Sequence, residues 1–216
     1  MIGYGVWIAE RKEFKLMNII RRSNYPIPYG PIPDYLTRDE VDRIKNFIKS
    51  KKGQSRDYLM IDFLWNTGVR VSELCNFMVG DLDSYLGTVK VRSLKKRSRK
   101  KGKREEWRSI PIPKNFINQI EDYIEVNSLD KETKLFPITR QDVYYLVRRY
   151  CRKAGIDSRR SHPHIFRHSF AVNCALQGVG GTTIADWLGH ADLSTVMIYA
   201  KALAKDTRHI REGLIF

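Results

Sequence analysis

The middle of this chain switches from a helical to an alternating pattern of apolar residues, and this switch limits the folds available to it. Residues 87–94 (GTVKVRSL) and 107–113 (WRSIPIP) place valines and isoleucines at every second position, as half-buried strands do. A run of lysines, arginines and one glycine separates the two stretches. The pattern therefore predicts a small antiparallel sheet whose strands are joined by a basic hairpin.

Apolar residues recur at helical spacing on both sides of this hairpin. Thr37 is followed three residues later by Glu40, a capping-box pattern that predicts a helix over residues 38–51. Further helices are predicted at residues 56–66, 114–127, 139–154 and 163–177. Two more are predicted to begin near Val71 and near Leu193, and a short one is predicted to end at Leu188. The predicted fold class is mainly α with one small antiparallel β-sheet (α+β).

Residues 24–33 (NYPIPYGPIP) contain four prolines and one glycine, which predicts an extended linker. We therefore expect residues 1–33 to form an N-terminal segment with a proline-rich linker, and residues 34–216 to form the folded domain. The N-terminus lacks the pattern of a signal peptide, and no apolar run approaches the roughly 18 residues of a membrane span. The three cysteines are scattered, which is typical of a reducing, cytoplasmic setting.

The charge of the chain indicates a polyanionic partner. Lysine and arginine total 39 against 24 acidic residues, a formal net charge of +15. Such an excess favours nucleic-acid binding, although it can also serve solubility alone. The hairpin run is either a solvated loop or a surface that lies along a phosphate backbone. Its candidate DNA-binding residues are Lys96, Arg97, Arg99, Lys100, Lys101, Lys103 and Arg104.

Three histidines and an arginine crowd into residues 162–168 (HPHIFRH). Pro163 suits the first position of a helix, and His164 and Arg167 then share one face of its first turn. The unpaired N–H groups and positive dipole end there favour an anion site. A metal site is the second interpretation, because His164 and His168 are four residues apart. It is disfavoured because Arg167 would repel a cation and no carboxylate or thiol lies beside them. A structural cluster of hydrogen-bonded histidines is the third interpretation.

Four separated motifs give a family resemblance: GVRVSEL, a lysine at the hairpin, HIFRH and LGHADLSTVMIYAK. In this order and spacing, residues 34–201 resemble the tyrosine recombinase family of phage integrases and Xer-type recombinases. The resemblance implies the tyrosine-recombinase catalytic-domain fold. The catalytic set that it implies is Arg70, Lys95, His164, Arg167, His190 and the nucleophile Tyr199. Lys96 remains an alternative to Lys95 because the basic run leaves the register open. Glu73 and His168 are expected to support the site, with purely structural roles equally open.

The resemblance also implies a reaction. A site-specific DNA recombinase or integrase cleaves and rejoins strands through a 3′-phosphotyrosine intermediate, with no metal and no cofactor. Its implied partner is double-stranded DNA carrying a recombination site, and no membrane partner is implied. The protein is expected to be a monomer when free and to assemble into a tetramer on DNA. Alternatives are a type IB topoisomerase-like enzyme, a non-catalytic DNA-binding relative and a zinc-dependent nuclease. Mobile-element integration and chromosome-dimer resolution both remain open.

Family members usually carry a separate DNA-clamping domain before the catalytic domain. Only a short segment precedes Asp34 here, so three interpretations remain open: a catalytic fragment, one half of a split integrase, or a naturally minimal form. The tail after Tyr199 either packs against a neighbouring protomer or folds back on its own domain.

Overall fold

The computed structural model describes residues 34–49, 55–92 and 107–189. The chain divides into the units Met1–Ile32 and Pro33–Phe216, and every described residue lies in the second. The described helices are α1 (Arg38–Lys49), α2 (Ser55–Thr67), α3 (Val71–Leu74), α4 (Lys114–Val126), α5 (Arg140–Lys153), α6 (Pro163–Leu176) and α7 (Gly181–Leu188), with two 3-10 turns at Val79–Asp81 and Ser158–Arg160. Together with one small sheet they confirm the predicted fold class. None of these helices is long and apolar enough to cross a membrane.

The capping box predicted at the start of α1 is confirmed. The backbone N–H of Thr37 donates to Glu40 Oε2 at 3.0 Å, and the N–H of Glu40 donates to Thr37 Oγ1 at 3.3 Å. Two of the N–H groups that a helix start leaves unpaired are thereby satisfied. The helix then buries Val41, Ile44 and Ile48 on one face.

Helix α2 forms the centre of the core and packs against α1, α4 and α6. Its residues Leu59 to Leu64 are almost completely buried, including the charged Asp62, which pairs with Lys45 at 2.7 Å. The ring of Phe63 lies 4.8 Å from that of Phe77, centroid to centroid. A helix that is buried on nearly every side has no polar face, which explains the weak amphipathic pattern of this stretch.

A buried hydrogen bond joins α2 to α5. The hydroxyl of Tyr150 donates to Asp57 Oδ2 at 2.5 Å, and Arg56 pairs with the other carboxylate oxygen at 2.8 Å. Tyr150 is 1% exposed, and burial, followed by the bond to Asp57, raises its pKa. The tyrosine therefore acts as a donor that secures the two helices.

Replacing Tyr150 with phenylalanine is expected to lower the free energy of unfolding by about 2 kcal/mol, because a buried bond to a charged group contributes roughly 1.5–3 kcal/mol. Urea unfolding followed by circular dichroism measures the change. Tyr145 on the same helix is 66% exposed, so Tyr145→Phe is the matched control, with an expected change below about 0.5 kcal/mol. Equal changes in the two variants would contradict a stabilising role for the buried bond.

The sheet has the antiparallel order β1 (Leu82–Asp83), β2 (Thr88–Arg92) and β3 (Trp107–Pro111). Val89 pairs with Ile110, and both are fully buried, so the predicted hairpin strands and their inward face are confirmed. Strand β1 was not predicted, because its two residues are too few to show an alternating pattern. The basic run between β2 and β3 lies outside the described residues, and its predicted DNA contacts remain predictions.

Candidate active site

The turn after α2 places Arg70 at the base of α3. The chain reverses at Gly68, whose φ of +60° belongs to the left-handed region, and Arg70 caps the next helix in an extended conformation. Glu73 binds this arginine twice. Its Oε2 accepts the backbone N–H of Arg70 at 2.8 Å, and its Oε1 accepts from Arg70 Nη1 at 2.8 Å. The direction of the arginine is therefore fixed from within its own turn.

The remaining terminal nitrogen of this guanidinium, Arg70 Nη2, is buried and has no hydrogen-bond acceptor within the described parts of the chain. A buried donor without an acceptor costs about 1–3 kcal/mol, and more when the group is charged. Such a donor is suited to bind an anion that the described residues do not themselves supply.

Glu73 is also held by Arg108, which was not among the predicted site residues. Arg108 lies on β3, and its Nη2 and Nη1 donate to Glu73 Oε2 at 2.7 Å and to Oε1 at 3.1 Å. Burial raises the pKa of Glu73, but the hydrogen bonds and charges of Arg108 and then Arg70 outweigh it and hold this pKa below its usual value. Glu73 is therefore a carboxylate shared by two arginines. The only local signal was an arginine two residues before Ile110, on the inward face of the strand, where a charged side chain is unusual.

Helix α6 starts at Pro163, as predicted, with His162 as its N-cap residue. Arg167 is 5% exposed. Its Nη1 donates to the carbonyl of Gly68 at 2.9 Å, and its Nη2 donates to the carbonyl of Leu188 at 2.5 Å. Arg167 thus connects the turn that carries Arg70 to the C-terminal end of α7.

The two histidines of α6 lie near one another. His164 is exposed and His168 is half-buried, with ring centroids 5.9 Å apart and an angle of 36° between the planes. Within the described ranges, no group of three or more histidine, cysteine or acidic side chains is arranged to hold a metal ion. The roles predicted for both histidines remain predictions.

Two arginines bind consecutive carbonyls where α7 ends. Arg108 Nε donates to Trp187 O at 2.6 Å, beside the bond from Arg167 to Leu188 O. Cationic donors suit this position because the last carbonyls of a helix lack partners and carry its negative dipole end. Gly189 follows in the left-handed conformation at φ +68° and ends the helix.

The structure thus gathers Arg70, Glu73 and Arg167 around the Gly68 turn and adds Arg108 to them. The other predicted site residues, Lys95, Lys96, His190 and Tyr199, lie outside the described residues. In the sequence, the two lysines come shortly after the end of β2, and His190 comes directly after Gly189, which ends α7.

Comparison with known proteins shows to which family this chain belongs. Residues 34–206 match the family model of the phage integrase family. Tyrosine recombinase XerA of Thermococcus kodakarensis is 35% identical over 189 residues, which cover 84% of this chain and 62% of that protein. The same-named protein of Pyrococcus furiosus is 35% identical over 205 residues, or 90% of this chain and 65% of that protein.

Solved structures show the same fold. The crystal structure of XerA recombinase superposes with a TM-score of 0.65 at 28% identity and covers 87% of this chain and 67% of its own. The XerH site-specific recombinase bound to its difH substrate gives a TM-score of 0.63 at 21% identity over 82% of this chain and 53% of its own. The chain therefore belongs to the phage integrase family. Its similarity to proteins named tyrosine recombinases confirms the family recognised from the four motifs. The chain spans less than two thirds of the length of the curated relatives described above.

Proposed function

We propose that this chain provides the catalytic domain of a site-specific DNA recombinase that cleaves and rejoins strands through a phosphotyrosine bond. The observation that carries this proposal is the arrangement of the Arg70 guanidinium. Glu73 and the turn fix its guanidinium, while Nη2 remains buried with no acceptor in the described residues. A DNA phosphodiester is an anion whose non-bridging oxygens suit such a donor, and the overall charge of +15 favours a polyanionic partner.

Arg167 supplies the second fixed guanidinium of the proposed site. Both of its terminal nitrogens donate to carbonyls from separate segments, so its plane is set before any substrate binds. Donors that are already oriented stabilise charge that develops in a transition state without a cost of reorganisation. Two such arginines fit a phosphate that gains negative charge as its phosphorus is attacked.

The remaining roles are assigned from the family motifs. The Tyr199 oxygen attacks the phosphorus while His164 accepts its proton, the bond to the 5′ oxygen breaks, and a lysine (Lys95 or its neighbour Lys96) donates a proton to that oxygen. His164 and His190 donate hydrogen bonds to the phosphate. A free 5′-hydroxyl then attacks the phosphotyrosine and releases the tyrosine, so that the bond energy is conserved without a nucleotide cofactor.

The proposed partner is double-stranded DNA with a specific recombination site. The similar XerH structure is bound to its difH substrate, which supports a DNA partner. The basic run between β2 and β3 is proposed to lie along the phosphate backbone. The protein is proposed to be a monomer when free and to assemble as four protomers on DNA. We place this reaction in the cytoplasm, with residues 34–216 as the catalytic domain and residues 1–33 as the segment that leads into it.

A covalent-trapping assay tests this function. The protein is incubated with a randomised pool of duplexes that each carry a nick, so that cleavage beside the nick releases a short fragment and prevents religation. The wild-type chain is expected to form an adduct that survives denaturation, whereas Tyr199→Phe binds DNA and forms none. Sequencing the trapped DNA identifies the preferred site.

Three outcomes would contradict the proposal. If the wild-type chain binds the pool but forms no adduct, it is a DNA-binding relative without catalysis. If Tyr199→Phe forms the adduct as the wild type does, another residue is the nucleophile. Adduct formation that is lost on chelation of divalent metals would also refute the metal-independent mechanism.

A further inference from the structure

We propose that Arg108 is a positioning residue for strand cleavage, which orients Arg70 through Glu73 and holds the end of α7 that leads to His190. This inference rests on the proposed function. Among the described residues, Arg108 binds both the carboxylate of Glu73 and the carbonyl of Trp187.

The first connection runs through Glu73, whose side chain is completely buried. Arg108 binds its carboxylate with two parallel hydrogen bonds, which fix the plane of the carboxylate as well as its position. The same carboxylate holds the backbone and Nη1 of Arg70. A carboxylate that rotates would carry Arg70 with it, so the orientation of the phosphate-facing Nη2 depends on Arg108.

The second connection runs to the start of the segment that contains His190 and Tyr199. Arg108 Nε donates to Trp187 O at 2.6 Å, one residue before the carbonyl bound by Arg167. The chain then passes against the guanidinium, because a Cβ at Gly189 would lie 3.2 Å from Arg108 Nη1. Arg108 therefore fixes the position and direction from which the chain proceeds to His190.

The third connection is to the basic hairpin. Arg108 pairs with Val91 in the β2–β3 register, close to the strand ends from which the lysine-bearing run departs. One guanidinium thus ties the base of the hairpin to Arg70 and to the end of α7. Lysine cannot replace it fully, because a single ammonium lacks the planar set of donors that serves two carboxylate oxygens and a carbonyl together.

The test compares Arg108→Lys with Arg159→Lys, a matched control at an exposed arginine that pairs with Asp157. Circular dichroism establishes the temperature at which each variant is folded. DNA affinity and the single-turnover rate of adduct formation are then measured there. Arg108→Lys is expected to bind DNA within about threefold of wild type but to cleave about 100-fold more slowly, because small misplacements of catalytic groups have effects of that size. Arg159→Lys should behave as wild type. If Arg108→Lys does not fold, Arg108→Gln takes its place.

A pH profile separates positioning from simple stability. Arg70 on the α3 side and Arg108 on β3 are the charged groups that face Glu73 in the described structure. Once the paired bonds of Arg108 are lost, burial raises the pKa of Glu73. Cleavage by Arg108→Lys should then decline towards acidic pH more than cleavage by wild type does. The additional decline should vanish in the Glu73→Gln/Arg108→Lys double variant, and the two substitutions should be less than additive in rate.

Three results would overturn the proposal: an Arg108→Lys rate equal to wild type, a rate loss fully explained by weaker binding or unfolding, or additive effects with Glu73→Gln. Each of them leaves wild-type adduct formation intact, so the proposed function would survive. If the wild-type chain itself forms no adduct, the proposed function fails and this inference fails with it.

Discussion

Replacing Gly68 with alanine is expected to lower the free energy of unfolding by about 3 kcal/mol. A Cβ there would lie 2.6 Å from Cδ1 and 2.8 Å from Cγ of Phe170, and 3.0 Å from Leu188 Cδ2. Phe170 and Leu188 are both buried, so neither side chain can move aside freely. Overpacking of this kind costs about 1–3 kcal/mol, and a non-glycine residue in the left-handed region costs roughly 1–2 kcal/mol more.

Gly155 offers the matched control for this prediction. Its φ is +76°, but within the described ranges no heavy atom beyond its own chain neighbours lies within 4 Å of an added Cβ. Gly155→Ala should therefore show only the backbone cost of about 1 kcal/mol. Urea unfolding gives the loss in free energy of unfolding for each variant, and the difference between the two losses is the steric cost at Gly68. Equal losses would mean that the contact with Phe170 relaxes without cost and that the turn before Arg70 is less tightly packed than the distances indicate.

The fold was largely predictable because its signals are local. The Thr37 and Glu40 capping pair, the alternating strands and Pro163 at the start of α6 each act within a few residues. The elements that escaped prediction lack such signals. Strand β1 has only two residues, and its pairing is set by β2.

The site was predictable through its motifs and not through its contacts. The spacing of His164 and Arg167 in α6 did not predict that His164 is exposed and Arg167 is buried. The burial of Arg167 depends on the carbonyl of Gly68, 99 residues earlier in the chain. Arg108 was missed for the same reason, since its partners Glu73 and Trp187 lie 35 and 79 residues away. No local pattern encodes partners at such separations.

Replacing Arg167 with lysine is expected to slow adduct formation by about 10³-fold, the upper end of the effect of removing one fixed donor from a transition state. The variant should also lose about 2 kcal/mol of stability, because one ammonium cannot satisfy both the Gly68 and the Leu188 carbonyls. Single-turnover trapping and urea unfolding measure the two effects.

The control for Arg167→Lys is Arg160→Lys. Arg160 is half-buried and binds Glu40 and the carbonyl of Tyr35, so lysine there should cost stability without slowing cleavage by the folded protein. Comparable rate losses in both variants would show that the defect follows stability alone. A folded Arg167→Lys protein that cleaves within tenfold of wild type would show that a lysine ammonium suffices at the phosphate. In that case the planar guanidinium, held between two distant carbonyls, would serve to join the Gly68 turn to α7 and would not be needed to orient a donor.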